Sequence, residues 1–198
     1  MKYIKIFEDF NLSEITGLSE LTNKLKEYKV PTDYWGTGNA KTIEHLLDEL
    51  ENEECSIVDE GGYLVRYIEF VGIKVLYKDK EGNLFMLKED RQVFKDGRER
   101  RRDMPTSVAE KMKFGEDPLR SAIRGIEEEL DIKVSPDQLR KLRDLSYDGD
   151  SQSYPGLKAK YKGHQFTCFL DDRQYKPNGY IEVQKDKSTY FVWHKREQ

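Results

Sequence analysis

The sequence has few of the residues that build zinc sites and disulfide frameworks, and it has no long apolar run. Its 198 residues include 2 cysteines and 3 histidines, with no CxxC pair and no histidines at zinc-binding spacing. No apolar stretch approaches the roughly 20 residues of a membrane-spanning helix, and the first residues lack the apolar core of a signal peptide. We therefore expect a cytoplasmic protein that does not enter a membrane.

An excess of positive charge is absent as well. Lys and Arg number 34 against 38 Asp and Glu, which gives a formal net charge of −4. This balance argues against nucleic-acid binding driven by bulk positive charge. Aromatic residues make up 12% of the chain, too many for a disordered, purely charged segment. The length suits one globular domain with an extension, or two small units.

The first part of the chain has a helical pattern. A short apolar start at residues 4–10 precedes leucines at helical spacing within residues 19–28, and a second apolar helical face covers residues 40–51. We predict that residues 1–58 form a helical N-terminal extension and that a second domain covers residues 59–198.

The rest of the chain combines strands with one strong helix. A helix is predicted over residues 118–130, because Asp117 is a favoured N-cap and Pro118 a favoured first helical residue. A second, short helix is predicted near residues 136–142. The predicted strands, which are rich in β-branched and aromatic residues, cover residues 63–77, 84–93, 156–162, 165–170 and 190–194. Strands on both sides of a central helix predict a mixed α/β or α+β sandwich.

A glutamate-rich pattern runs along this helix and the loop before it, from Gly115 to Ile132. It resembles the Nudix box, in which a glycine, a glutamate, an Arg-Glu pair, a Glu-Glu pair, a second glycine and an aliphatic residue stand at fixed spacing. The matching residues are Glu116, Arg124, Ile126, Glu128, Glu129 and Ile132. Three positions depart from the pattern: Glu110 replaces the first glycine, Gly125 replaces the glutamate of the Arg-Glu pair, and Asp131 replaces the second glycine.

The spacing of the acidic positions has a physical meaning on a helix. Residues three and four apart share a helix face, so position 125 and the pair Glu128 and Glu129 point toward one cleft. Carboxylate oxygens suit Mg²⁺ or Mn²⁺, whose coordination is usually completed by waters and substrate phosphates. Gly125 removes one carboxylate from this face, and a glycine within a helix also costs about 1 kcal/mol relative to alanine.

The resemblance implies a Nudix-like α/β/α sandwich with a mixed sheet, and metal-dependent hydrolysis of a nucleoside diphosphate linked to another moiety. In this interpretation Glu128 and Glu129 hold Mg²⁺ or Mn²⁺ and Arg124 orients them. Glu116 supports the loop or the outer shell of the metal. Glu110 lies in a loop that the family folds beside the metal, so we hypothesise that it supplies the missing carboxylate.

A second interpretation belongs to another functional class. The loss of the glutamate at position 125 favours a catalytically lapsed, Nudix-derived module that binds a nucleotide or a protein partner. The N-terminal extension is then a contact surface, and a homodimer is also compatible with the family.

Other charged and aromatic residues have two interpretations each. The arginines within residues 98–102 either bind substrate phosphates or form a solvated loop balanced by neighbouring acids, and Lys111 and Lys113 are alternative phosphate contacts. The aromatic residues either stack a base or belong to the core. These aromatic residues are Tyr154, Phe166, Tyr180, Phe191 and Trp193.

Overall fold

The computed structural model describes residues 17–196, so the apolar start predicted at residues 4–10 lies outside the described residues. Three α-helices and nine strands are present in this part of the chain. The helices are α1 (Leu18–Glu27), α2 (Ile43–Glu51) and α3 (Pro118–Leu130). The strands are β1 (Ser56–Asp59), β2 (Leu64–Lys78), β3 (Leu84–Phe94), β4 (Glu99–Arg100), β5 (Val108–Lys111), β6 (Leu139–Asp150), β7 (Lys158–Leu170), β8 (Tyr180–Val183) and β9 (Lys187–Lys195).

The three predicted long helices are confirmed, and their caps explain where they begin. Helix α2 begins at Ile43 because Thr42 and His45 form a capping box, in which each side chain satisfies a backbone N–H of the other residue. Helix α3 begins at Pro118, where the Asp117 carboxylate accepts the backbone N–H of Arg120 at 3.0 Å.

The short helix predicted near residues 136–142 is wrong. Only a 3-10 turn, Pro136–Gln138, precedes β6. Strand β6 lies at one end of the hydrogen-bonded strand order and is exposed along most of its length, so it carries little of the apolar alternation that indicates a strand. Its extended conformation depends on pairing with β7, the next strand in the chain.

The nine strands form one sheet, in the order β6-β7-β2-β3-β9-β8, with β1 and β5 paired to β2 and β4 paired to β3. The predicted α/β class with a mixed sheet is confirmed. Two predicted strands, 156–162 and 165–170, are parts of the single strand β7. Gly163, between the two predicted strands, lies within β7. Glycine is required there because a Cβ would lie 2.6 Å from the ring of Phe70 and 2.8 Å from Leu145.

The described chain divides into two compact units. The first contains residues 17–69, 111–115 and 146–162, and the second contains residues 70–110, 116–145 and 163–196. The division predicted at residue 58 stays a prediction.

In the first unit, α1 and α2 share an apolar core with the segment before β7. Its buried members are Leu21, Leu25, Trp35, Leu46, Ile57, Leu64, Tyr154 and Leu157. Trp35 fixes this segment with a hydrogen bond from its indole N–H to the Pro155 carbonyl, at 2.9 Å. None of the helices in residues 17–196 is long and apolar enough to cross a membrane.

A buried carboxylate, Glu49 on α2, organises the polar part of the first unit. It forms ion pairs with the buried Arg66, with Lys41 at 2.7 Å and with Lys111 at 2.6 Å. Burial opposes ionisation of Glu49, but Arg66 and Lys111 outweigh it and lower its pKa from 4.5 to about 2. Lys111, one of the predicted phosphate contacts, is thus engaged in an internal ion pair.

We predict that Glu49→Gln lowers the free energy of unfolding by about 3–5 kcal/mol at pH 7, because it leaves Arg66 buried without its counter-ion. Because the folded-state pKa is lowered, the contribution of Glu49 is present above about pH 4.5 and is lost as the pH falls toward 2. Urea denaturation at pH 7 and pH 3 tests this. The control is Glu54→Gln, which removes a more exposed partner of Lys111 and should cost about 1 kcal/mol or less. Equal losses for both variants would contradict the prediction.

Candidate functional site

The predicted site residues surround helix α3 in the second unit. The buried stripe of α3 consists of Ser121, Ala122, Gly125, Ile126 and Leu130. Beside this stripe, Arg124 and Glu129 are half-buried and Glu128 is exposed. The helix packs against β8, so its position relative to the sheet decides which carboxylates meet.

Arg124 connects three of the predicted acidic residues. Its Nε and Nη2 donate to the two carboxylate oxygens of Glu116 at 3.1 and 3.0 Å, which is the bidentate geometry that arginine favours. Its Nη1 donates to Glu110 at 3.0 Å and to Glu128 at 3.2 Å. The bonds to Glu116 and Glu110 raise the pKa of Arg124 well above its usual value. Four of the five predicted site residues are therefore in one bonded cluster.

Two departures from the box pattern, Glu110 and Gly125, meet in space. A Cβ at position 125 would lie 2.8 Å from the Cβ of Glu110 and 3.2 Å from its Cγ, closer than side chains pack. Strand β5 and helix α3 therefore approach so closely that residue 125 has no room for a side chain while residue 110 has one. Glu110 places its carboxylate beside Arg124, next to the position that the box assigns to a glutamate.

The third departure, Asp131, is explained by the end of the helix. Asp131 caps α3 in the left-handed conformation, with φ 53° and ψ 43°. Glycine is favoured there, but aspartate tolerates this conformation better than most side chains. The substitution therefore keeps the backbone geometry that ends the helix.

The Glu129 carboxylate lies among other acids. Burial, the neighbouring carboxylates of Glu182 and Glu110, and weaker opposing effects of the Ala109 N–H and Arg102 together raise its pKa from 4.5 to about 8. Glu182, on β8, is a neighbour that sequence reasoning missed, because no local pattern connects it with α3.

A bulge in β3 brings further polar residues to this site. The register shifts between Glu89 and Arg91, so that Glu89 pairs with Phe191 and Gln92 pairs with Thr189. Phe191 and Thr189 share a face of β9 because they are two residues apart. The bulge therefore places Glu89 and Gln92 on one sheet face, where a regular strand would place them on opposite faces.

The arginines of residues 98–102 separate into two groups. Arg98 and Arg101 are mainly exposed and pair with Asp96 and Asp90, as the solvated-loop interpretation predicts. Arg102, in contrast, pairs through two nitrogens with the buried carboxylate of Glu89.

Arg100 donates from Nε to the Gln92 side-chain carbonyl at 3.1 Å. The predicted aromatic residues are buried in the core, apart from Trp193, which is half-buried. Trp193 donates its indole N–H to the Lys176 carbonyl at 2.9 Å.

The chemistry of these donors suits a divalent cation, because Glu110, Glu129 and Glu182 offer carboxylate oxygens. Burial, followed by the charges of Glu182 and Glu110, raises the pKa of Glu129. Within residues 17–196, no three acidic, histidine or cysteine side chains converge closely enough to hold a metal by themselves. The assignment of Glu128, Glu129, Glu116 and Glu110 as ligands stays a prediction.

We predict that Gly125→Glu alone destabilises the protein by about 1–3 kcal/mol through overpacking, and that adding Glu110→Gly restores most of the loss. The physical reason is that the collision involves the Cβ and Cγ of Glu110. Thermal unfolding of the two single variants and the double variant measures the coupling. Glu110→Ala combined with Gly125→Glu is the control, since it keeps the Cβ and should rescue less. Additive effects in the first pair would contradict the close approach.

We predict that stability without metal decreases as the pH rises from about 4.5 to about 8. The folded protein binds the Glu129 proton more tightly than the unfolded chain does, so this contribution is intact below the lower pH and lost above the higher one. Glu129→Gln should leave the melting temperature nearly unchanged at pH 4.5 and raise it at pH 9. Calorimetry in EDTA measures both. A shift of equal size at the two pH values would contradict the prediction.

No protein-family model matches the chain, and no curated protein matches its sequence. Solved structures do match. An Ap4A hydrolase from C. elegans is 15% identical, covering 65% of this chain and 80% of that one with a TM-score of 0.39. A MutT/nudix family protein from Enterococcus faecalis is 17% identical, covering 84% of this chain and 55% of that one with a TM-score of 0.45. The E. coli dihydroneopterin triphosphate pyrophosphohydrolase is 15% identical, covering 63% and 78% with a TM-score of 0.36. These similarities, with identities of 15–17% and TM-scores below 0.5, carry no argument about substrate, activity or family membership.

Proposed function

We propose that this protein is a metal-dependent hydrolase of a nucleoside diphosphate linked to another moiety, in which Glu110 replaces the glutamate that the box has at position 125. The observation that carries the proposal is the close approach of Glu110 to Gly125. A retained metal site needs a carboxylate near the position that the missing side chain would occupy. Here the space left by glycine is filled by a glutamate from the neighbouring strand.

The bonds of Arg124 give the remaining residues their roles. Glu116 holds the guanidinium in a bidentate ion pair, and the same guanidinium orients Glu110. Glu128 contributes a third, more exposed bond to Arg124, which fits a positioning role. Glu129 and Glu110 are the residues that we expect to hold Mg²⁺ or Mn²⁺, with Glu182 close to them.

The metal, when bound, supplies charge neutralisation of the diphosphate and activation of a water for attack at phosphorus. The protein's own contribution is to hold the two carboxylates in place, Glu110 on strand β5, packed against Gly125, and Glu129 on helix α3. A cation bound at Glu129 would favour its ionised form, against the burial and the neighbouring carboxylates of Glu182 and Glu110 that raise its pKa in the metal-free protein.

We predict that Glu129→Gln and Glu110→Gln each lower kcat by about 100-fold or more, the scale of lost acid–base or metal-ligand function. The assay measures product release from ADP-ribose, dinucleoside polyphosphates, NADH, nucleotide sugars and nucleoside triphosphates, with Mg²⁺ or Mn²⁺ and with EDTA. The control is Glu127→Gln, an exposed acid on the same helix, which should retain wild-type turnover. Calorimetric titration with Mn²⁺ should show weaker binding by both site variants.

Two results would count against this proposal. Full metal affinity and full turnover in Glu110→Gln would remove the role of Glu110. Substrate binding without turnover across the panel, by folded protein, would favour the alternative of a Nudix-derived binding module. The ion pair that holds Glu110 against Arg124 is the observation that agrees with this alternative, because it already neutralises part of the carboxylate charge.

A further inference from the structure

Lys187, the first residue of β9, is a half-buried cation that forms no ion pair with any residue from 17 to 196. Arg100 on β4 is similar: its guanidinium bonds the neutral amide of Gln92, and no carboxylate in the same described range forms an ion pair with it. Partly buried cations without a paired anion are costly, since burial disfavours the charged form. Arg102, in contrast, is neutralised by Glu89.

The register of the strands places Lys187 and Arg100 on the same face of the sheet. Lys187 pairs with Phe94 on β3, and Arg100 pairs with Gln92, two residues before Phe94. Residues two apart in a strand share a face. The Arg100 guanidinium also lies over the Phe94 ring, 5.6 Å from its centre. Lys187 and Arg100 therefore flank Phe94 from the two strands on either side of it.

The cations of this group repel one another. Burial, Arg100 and Arg102 lower the pKa of Lys187, against the weaker opposing effects of Asp186 and Glu182. Burial and Arg102 likewise lower the pKa of Arg100. An anionic ligand between these cations would reduce their mutual repulsion and would compensate the cost of their burial by charge-assisted hydrogen bonds.

The cationic group lies next to the carboxylates of the candidate metal site. Glu182 acts electrostatically on both Lys187 and Glu129. Thr189, two residues after Lys187, pairs with Glu182 across β8 and β9. The same face of the sheet thus presents acids at one end and cations without an ion pair beside them, a distribution that suits phosphate groups lying between a bound cation and Lys187 and Arg100.

We propose that Lys187 and Arg100 form a phosphate-binding subsite that holds the diphosphate group of the substrate beside Glu129 and Glu182. The inference rests on the proposed function for its substrate class, and it adds the residues that bind the diphosphate. Arg100 offers the planar fork that matches phosphate oxygens, and Lys187 offers a compact charge. The subsite recognises the diphosphate and is indifferent to the base or sugar attached to it.

The test uses inorganic pyrophosphate as ligand, titrated calorimetrically into the full chain in EDTA. Lys187→Gln should weaken binding by about tenfold or more, the effect of losing one charge-assisted hydrogen bond. Lys187→Arg, which keeps the charge, should recover part of the affinity. The control is Lys185→Gln, which removes an exposed charge two residues away and should leave the affinity within about twofold, as expected for a screened surface charge. Melting temperatures confirm folding, and Lys187→Gln should not lower them, because the residue forms no ion pair.

The outcomes separate this inference from the proposed function. Pyrophosphate binding that depends on Lys187, in a protein without turnover, would support the subsite and overturn the hydrolase. Turnover whose KM is the same in wild type and Lys187→Gln would support the hydrolase and overturn the subsite. Undetectable pyrophosphate binding by the wild-type protein, or equal binding by Lys187→Gln, would also overturn the subsite.

Discussion

The close contact between strand β5 and helix α3 is the constraint on which the candidate site depends. At this contact a Cβ on residue 125 and the Cβ of Glu110 would be 2.8 Å apart, so only one of the two positions can carry a side chain. The box pattern puts glycine on the strand side and glutamate on the helix. This chain reverses the two, so that the side chain of Glu110 occupies the space beside Gly125.

This reversal makes two damaged positions of the motif mutually consistent. Taken separately, Glu110 removes a glycine position of the box and Gly125 removes its glutamate. Gly125 also weakens the helix. Taken together, they keep a carboxylate beside Arg124 and keep the separation between strand and helix. The third departure, Asp131, retains the left-handed cap. All three changes therefore preserve the backbone around α3, although they change which residue offers which group.

Several charged groups of the second unit are placed where burial and like charges oppose their ionisation. Glu129 is pressed toward its neutral form by burial and by Glu182 and Glu110, while Lys187 and Arg100 lack ion pairs among the described residues. Such groups are expected where a ligand completes the electrostatics. The first unit shows the opposite arrangement, because its buried Glu49 is surrounded by cations and its pKa is lowered. The fold thus holds Glu49 in its ionised form and favours the protonated form of Glu129.

The sequence by itself determined helix α3, because its cap, its proline, its apolar stripe and the register of its acidic residues are local features within a few turns. It also indicated the α/β class from the alternation of strand and helix patterns. Only the tertiary structure decided that Glu110 fills the space at Gly125 and that Glu182 lies near Glu129. These relations depend on the strand register, on a bulge at Glu89 and on the distance between a strand and a helix. Such features are set by packing between segments far apart in the chain, so no local pattern contains them.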